Sequence, residues 1–225
     1  TQSGTTERVS IDSAGGEGIG DIFGPSLSDD GRNVAFYSDA SLVSEDTNGR
    51  LDIFVRDRQS GTTERVSISS AGAEANEDSS DPLISADGRY VVFHSLASNL
   101  VSGDTNGISD IFVRDRQSGT TERVSVHSSG TQANGESFYP SVSADGRYVI
   151  FDSSASNLIP GDTNGASDVF LRDMQLGTTE RVSLNSSGTQ GNASSGQSRI
   201  SSDGRYVIFG SVATNMVGGD TNGLG

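Results

Sequence analysis

An all-β fold of repeated four-stranded antiparallel blades is what this sequence predicts, and three observations carry the prediction. The heptapeptide GTTERVS occurs at 4–10, 61–67, 119–125 and 177–183, spaced by 57, 58 and 58 residues, so the 225-residue chain is an array of four units. Each unit repeats one order of segments: a variable Gly/Ser/Asn stretch, an S-x-D-G-R turn, a YVVF-like run, an ASNLV segment, DTNG, and DIFVRDRQ. Each unit reads as four short strands with no helix. The register holds throughout, apart from one residue missing between Ala40 and Asp46 of the first unit.

The strands follow in order. Strand a is the run before the turn, as in Pro82, Leu83, Ile84 and Ser85, and strand b is Tyr90 to Phe93. Asp87-Gly88 between them reads as a two-residue hairpin with a primed turn, since glycine accepts positive φ; Asp30-Gly31, Asp145-Gly146 and Asp203-Gly204 are its equivalents. Strand c is Asp110 to Asp115, with Ile111 and Val113 on one face and Phe112 on the other. Strand d, Thr121 to Val126, follows through the turn at Gln117, Ser118 and Gly119. The resulting meander has the size of one propeller blade. A single blade buries neither face, whereas identical neighbours cover both, and the nearly continuous apolar run YVVF suits a strand covered on both sides. The hairpins demand antiparallel neighbours, which argues against a parallel β-solenoid. Residues 1–225 are thus expected to form a single β-propeller array of repeats 4–60, 61–118, 119–176 and 177–225, about 58 residues each, with the ring incomplete.

SADGRYVVF followed by DIFVRD resembles the WD-like propeller repeat of the TolB-like family, in which a serine, a small residue and Asp-Gly precede a short apolar strand. The resemblance spans all four units. It implies the propeller fold and, since the family is typified by a periplasmic protein, an extracellular or periplasmic place. The units here are longer than the usual repeat, and the extra length falls in ASNLVSGDTNG between strands b and c. Strand c appears only three times, at 52–57, 110–115 and 168–173, so further repeats or a second chain are expected to complete a ring of roughly 4 to 8 blades.

Composition narrows the partners. Thirty acidic residues face fifteen basic ones, all arginine, for a net charge of −15, which argues against nucleic acid and against a polybasic membrane anchor. No apolar run approaches the ~20 residues of a membrane span, so membrane insertion is not expected. Cysteine is absent, which removes disulfides and thiolate chemistry. Leu, Ile, Val and Phe total only 50 residues, close to the composition of a disordered chain; the repeat decides for order.

The chemical signal is the spacing D-x-N-G-x-x-D: Asp46, Asn48, Gly49, Asp52; Asp104, Asn106, Gly107, Asp110; Asp162, Asn164, Gly165, Asp168; and a partial copy, Asp220, Asn222, Gly223. Oxygen ligands around a sharp glycine turn are what a hard cation requires, so Ca2+ is the expected cofactor, bound weakly because carboxylates are few. Ser44, Ser102, Pro160 and Gly218 stand where the longer D-x-D-x-D-G-x-x-D loops carry their first ligand. The alternative, Asp and Asn serving only as turn formers, stays open. Glu64-Arg65 and its copies on strand d read as solvated or cross-strand ion pairs worth little individually.

In an up-and-down blade the b–c and d–a connections leave on one face. The DTNG loops and the variable stretches therefore share it, and a ligand is expected there. Positions that differ between units point the same way: Ser26, Leu83, Ser141 and Arg199 in strand a, and Tyr37, His94, Asp152 and Gly210 after strand b. No nucleophile elbow or zinc motif occurs; the two histidines occupy unrelated places, and the glycines at 15–20 open no helix. The expected function is a non-catalytic extracellular or periplasmic module that binds a protein or glycan, with Ca2+ stiffening one face. The alternatives are the non-catalytic propeller of a larger secreted enzyme, such as a peptidase gate, and a structural repeat of a surface or filament protein.

Overall fold

A computed structural model describes residues 4–219. Fourteen strands and no helix appear among them. The first blade is β1 (Ile22–Leu27), β2 (Asn33–Ser38), β3 (Asp52–Asp57) and β4 (Thr62–Arg65). The second is β5 (Ser79–Ile84), β6 (Tyr90–Ser95), β7 (Asp110–Asp115) and β8 (Thr120–Arg123). The third is β9 (Ser137–Val142), β10 (Tyr148–Ser153), β11 (Asp168–Asp173) and β12 (Thr178–Arg181). The fourth has β13 (Ser195–Ile200) and β14 (Val207–Ser211) among the described residues. Each sheet is an antiparallel meander in chain order, as the hairpin pattern requires.

Both faces of the middle strands are covered in the three complete blades, and side-chain alternation divides them between two layers. Val91, Phe93 and Phe112 join Ile53 and Val55 in the layer between the first and second blades. Val92, Ile111 and Val113 face the other way, onto Val149, Phe151 and Phe170 of the third. Within each blade one phenylalanine from b stacks on one from c, at 5.9 Å for Phe36–Phe54, 6.0 Å for Phe93–Phe112 and 5.9 Å for Phe151–Phe170. The same pair thus repeats in each complete blade, which is how so few apolar residues suffice.

Three local expectations are corrected. In the a–b turn only Gly88 has positive φ, at 75°; Asp87 does not, so the connection is not a primed two-residue turn. The Gly88 amide instead donates to Ser85 O at 2.9 Å, while the Asp87 carboxylate accepts from the Ser85 hydroxyl and the Arg89 amide. Strand a begins earlier than its apolar run, at Ser79, because a β-bulge at Asp81-Pro82 lets it extend across a proline. Strand d ends at Arg123 rather than Val126. Val126 leaves the sheet to bridge Gln132 in the d–a connection.

The two ends of the blades are tied differently. On the DGR side an arginine forks onto the last aspartate of strand c: Arg89 Nε and Nη2 reach Asp115 at 2.9 and 2.6 Å, and Arg32–Asp57 and Arg147–Asp173 repeat it. On the other side the b–c and d–a connections meet directly, as the strand directions require: Thr47 Oγ1 donates to Glu74 at 2.7 Å and Asn48 Nδ2 to Ala75 O at 2.9 Å.

Candidate functional site

The D-x-N-G-x-x-D loops converge on arginine. In the first unit Arg65 Nη1 lies 3.2 Å from Asp46 Oδ1, 3.3 Å from Asp52 Oδ2 and 3.0 Å from Glu74 Oε2. In the second, Arg123 Nη1 stands 3.1 Å from Asp104 and 3.2 Å from Asp110; in the third, Arg181 Nη1 is 3.2 Å from Asp162 and 2.8 Å from Asp168. The other oxygen of the last aspartate accepts a serine hydroxyl from the same GTTERVS segment, as Ser183 Oγ does to Asp168 at 2.6 Å. The asparagines turn their amide nitrogens, not their oxygens, inward. Asn48, Asn106 and Asn164 Nδ2 donate to Asp52, Asp110 and Asp168 at 2.8, 2.8 and 3.1 Å. Their Oδ1 atoms accept the amides of Arg50, Ile108 and Ala166.

A calcium site needs several oxygens aimed at one point. The point on which these carboxylates converge is occupied by a guanidinium, and no group of three or more His, Cys, Asp or Glu side chains suited to a metal occurs among the described residues. As folded, the motif does not fit a resident metal. Asp220 and Asn222, the partial fourth copy, lie outside the described residues. The reading of the strand d arginine as a weak surface pair is overturned: Arg65, Arg123 and Arg181 are buried or nearly so, and only the preceding glutamate is solvated. The sequence does hold the signal, since each such arginine follows the last aspartate of its loop by 13 residues in all three complete units.

These clasps are not equal in charge. Glu74 adds a third carboxylate in the first unit, where the second and third carry Gln132 and Gln190. Burial, reinforced by Asp52 and Glu74 and opposed by Arg65, pushes the Asp46 carboxyl up to about 6. Asp104 and Asp162 are also raised, with burial the main cause.

A second arrangement lies at the inner ends of the blades. The first strands β1, β5, β9 and β13 enclose a cavity of about 290 Å3 whose lining includes Gly24, Asp81, Pro82, Tyr139 and Arg199. Each first strand carries its bulge here, with one residue in the left-handed region: Gly24 (φ 54°), Asp81 (50°), Tyr139 (53°) and Gln197 (56°) occupy equivalent places. Beside each bulge is a cross-strand pair that is different in every unit. Phe23 stacks on Tyr37 at 5.2 Å, and Ser80 bonds His94 Nε2 at 2.7 Å. Phe138 stands opposite Asp152, and Gly196 opposite Gly210. The pairs also reach across to the next unit. The His94 ring meets Phe138 edge-on at 5.3 Å, and Asp152 accepts the Gln197 amide at 2.5 Å and the Ser198 hydroxyl at 2.7 Å. Burial holds the His94 imidazole below its ordinary range, with Asp81, 3.7 Å away, opposing, and raises the Asp152 carboxyl.

Tyr37, His94, Asp152 and Gly210, singled out by their variation, are thus brought to one inner rim together with Arg199. The bulge residues Asp81, Tyr139 and Gln197 escape sequence reasoning. For Asp81 and Tyr139 the signal is the X-Pro dipeptide of Asp81-Pro82 and Tyr139-Pro140 inside a strand pattern; Gln197, followed by Ser198, has none.

Meanders stacked by both faces around a shared inner cavity agree with solved propellers. TolB from Acinetobacter baumannii superposes with a TM-score of 0.50 at 22% identity, covering 84% of this chain and 37% of that one. This chain carries a TolB-like β-propeller fold. A putative TolB from Agrobacterium tumefaciens matches with a TM-score of 0.50 at 20% identity over 85% of this chain and 58% of that one. A structure from a study of two prolyl endopeptidases matches with a TM-score of 0.52 at 14% identity over 85% and 26%. The chain therefore spans between about a quarter and somewhat over half of each of these proteins. No protein-family model and no curated protein matches the sequence. What the TolB-like propeller contributes here is a rigid frame; the inner rim is where this chain departs from its own repeat.

Proposed function

We propose that this chain is a non-catalytic binding module, extracellular or periplasmic, that takes a segment of a protein or a glycan into the cavity enclosed by β1, β5, β9 and β13. The observation that carries the reading is the placement of variation. Fork, clasp and phenylalanine pair repeat from unit to unit, while the cross-strand pair and the bulge residue around the cavity differ in every one. The cavity lining offers one carboxylate (Asp81), one guanidinium (Arg199) and the exposed ring of Tyr139, with exposed Phe23 next to Gly24, a mixture suited to a polar chain with occasional apolar groups. Its likeness to the prolyl endopeptidase structure favours a second reading, a propeller that admits peptide to an enzyme domain.

In this proposal the cation of each D-x-N-G-x-x-D loop is its arginine, and Ca2+ has no place in the clasp. Among the described residues β14 pairs only with β13; its other edge, whose Ile208 is 70% exposed where Ile150 is fully buried, is proposed to pair with a further repeat or a second chain. Screening peptide and glycan arrays tests the binding role. Arg199→Ala and Tyr139→Ala are each expected to weaken whatever binds by at least about tenfold, the scale of a lost interface anchor. Binding indifferent to both substitutions would place the ligand elsewhere. Calorimetry in millimolar Ca2+ is expected to show no heat, and chelator no change in Tm; a calcium-dependent Tm would remove the clasp reading.

A further inference from the structure

We propose that the cavity between the third and fourth units binds a planar aromatic ring bearing an alkylammonium group. The cavity holds about 500 Å3, within the ~300–1,000 Å3 of small-molecule sites, and its walls include Phe138, Tyr139, Asp152, Gln197 and Gly210. Two independent observations define its occupant.

The first is a missing ring. At each inter-unit junction the next-to-last residue of strand b and the second residue of the next strand a hold equivalent places, and they lie close together at the second and third junctions. Tyr37 and Ser80 stand at the first junction, His94 and Phe138 at the second, Asp152 and Gly196 at the third. One ring, two rings and none are supplied in turn, and the ringless junction is where the 500 Å3 space opens. Gly196 follows from the close approach of Asp152, whose Oδ2 would lie 2.7 Å from a Cβ built there. Phe138 and Tyr139, with ring centroids 6.3 Å apart, leave aromatic surface on the wall.

The second observation is a missing cation. Six aspartates are buried among the described residues, and Asp46, Asp52, Asp110, Asp168 and Asp173 each have an arginine nitrogen within 3.3 Å. Asp152 has none. It is 5% exposed and its partners are a backbone amide and a hydroxyl, while Arg199 donates instead to Ser198 O at 2.8 Å. A carboxylate taken out of water without a counter-charge in contact is costly, and a ligand cation beside it recovers part of that cost. Ring and charge together specify a protonated arylalkylamine or the equivalent group of a larger ligand.

The inference rests on reading the module as a binding propeller, but its test is separate. Tryptamine is the probe. The chain contains no tryptophan, so indole emission reports the ligand alone. Saturable quenching or blue shift with a rise in anisotropy is expected, and the neutral alcohol tryptophol is expected to bind at least about tenfold more weakly. Asp152→Asn should erase that difference. Gly210→Phe should abolish binding of both; its Cβ would meet only Gly196 O, at 3.7 Å, so the variant is expected to melt like the parent. Without any variant, the amide resonances of Tyr139 and Gln197 should shift on titration, and those of the first unit should not. Absence of saturable binding, equal affinity for amine and alcohol, or shifts confined to other units would each overturn the proposal. A peptide or glycan sensitive to Arg199→Ala alongside a negative tryptamine result would sink this pocket while leaving the binding role standing.

Discussion

Replacing Arg181 by methionine keeps much of its aliphatic reach and removes the cation on which Asp162 and Asp168 converge. The two carboxylates are 4% and 0% exposed, at 3.2 and 2.8 Å from one guanidinium nitrogen. Leaving buried charge uncompensated costs ~3–5 kcal/mol. For a chain of this size, about 2–4 °C per kcal/mol, the loss corresponds to a fall in Tm of roughly 6–20 °C. Hydrogen exchange should locate the loss in β11, β12 and the 160–168 loop rather than in the first blade, because neighbouring blades stabilise one another only pairwise. The matching control is Arg50→Met. Arg50 and Glu77 pair at 3.1 Å but are 42% and 43% exposed, so the expected cost is ~0–1 kcal/mol.

The triple variant Arg181→Met, Asp162→Asn, Asp168→Asn separates charge from packing. Removing all three charges together avoids the orphaned carboxylates, so it should be more stable than the single variant, since uncharged replacements of buried ion groups are often neutral. Urea unfolding followed by circular dichroism provides the comparison. A single-variant loss below about 1 kcal/mol, no larger than an exposed pair, would refute the assignment of the clasp as the loop's counter-charge. So would a triple variant weaker than the single one.

Other consequences follow from the same geometry. Asp46, raised to about 6, is protonated more readily folded than unfolded, so its contribution is greatest in acid and is lost as pH rises through about 6. Glu74→Gln reproduces the second and third units, keeps a partner for Thr47, and should lower the Asp46 titration seen by carbon NMR and flatten the decline in Tm above pH 5. Asp57 and Asp115 act in the opposite sense: Arg32 and Arg89 hold them below the ordinary carboxylate range, so their contribution, present at neutral pH, fades as pH falls below about 4. Gly146→Ala should cost more than Gly107→Ala in denaturant titrations. Both backbones are left-handed, but a Cβ at Gly146 would lie 2.1 Å from the Tyr90 ring, whereas at Gly107 it meets nothing within 4 Å. Tyr139→Gly is expected to change stability by no more than about 1 kcal/mol, relief of left-handed strain offsetting the entropy of glycine, while weakening ligand binding.

Where structure is dictated by short-range pattern, the sequence is nearly transparent. The alternation of Ile111, Phe112 and Val113 places each side chain in the layer it occupies, and strand c is bounded at Asp110 and Asp115 as the motif implies. The clasp is only half visible. Asp and Asn around a glycine announce a turn built around a positive charge, but the charge comes from an arginine on another strand, and one-dimensional spacing does not distinguish a guanidinium from a metal. The bulge is hidden for a different reason. Its left-handed residue is chosen by the inner edge of the sheet: Tyr139 and Gln197 carry no local propensity for the backbone they adopt, and Asp81 only the modest left-handed tolerance of aspartate.

That mismatch bears on function. Gly24 shows that this position accepts glycine, the residue for which a left-handed backbone carries no steric penalty, yet three units hold an aspartate, a tyrosine and a glutamine there. Each retains strain of ~1–2 kcal/mol that packing alone does not demand, because these side chains lie at the inner margin, outside the phenylalanine layers. Duplication would have copied glycine, or any single residue, into all four units. Outward along each blade the copies are held alike by two neighbours at once: strand c must satisfy a layer on either face, and a clasp must match its arginine. At the inner edge neither the phenylalanine layer nor the clasp fixes the side chain, and there the chain bears strain to present a carboxylate, a phenol and an amide. A scaffold that is repetitive where it is constrained, and diverse and strained on the rim, supports the proposal that its specificity lies there.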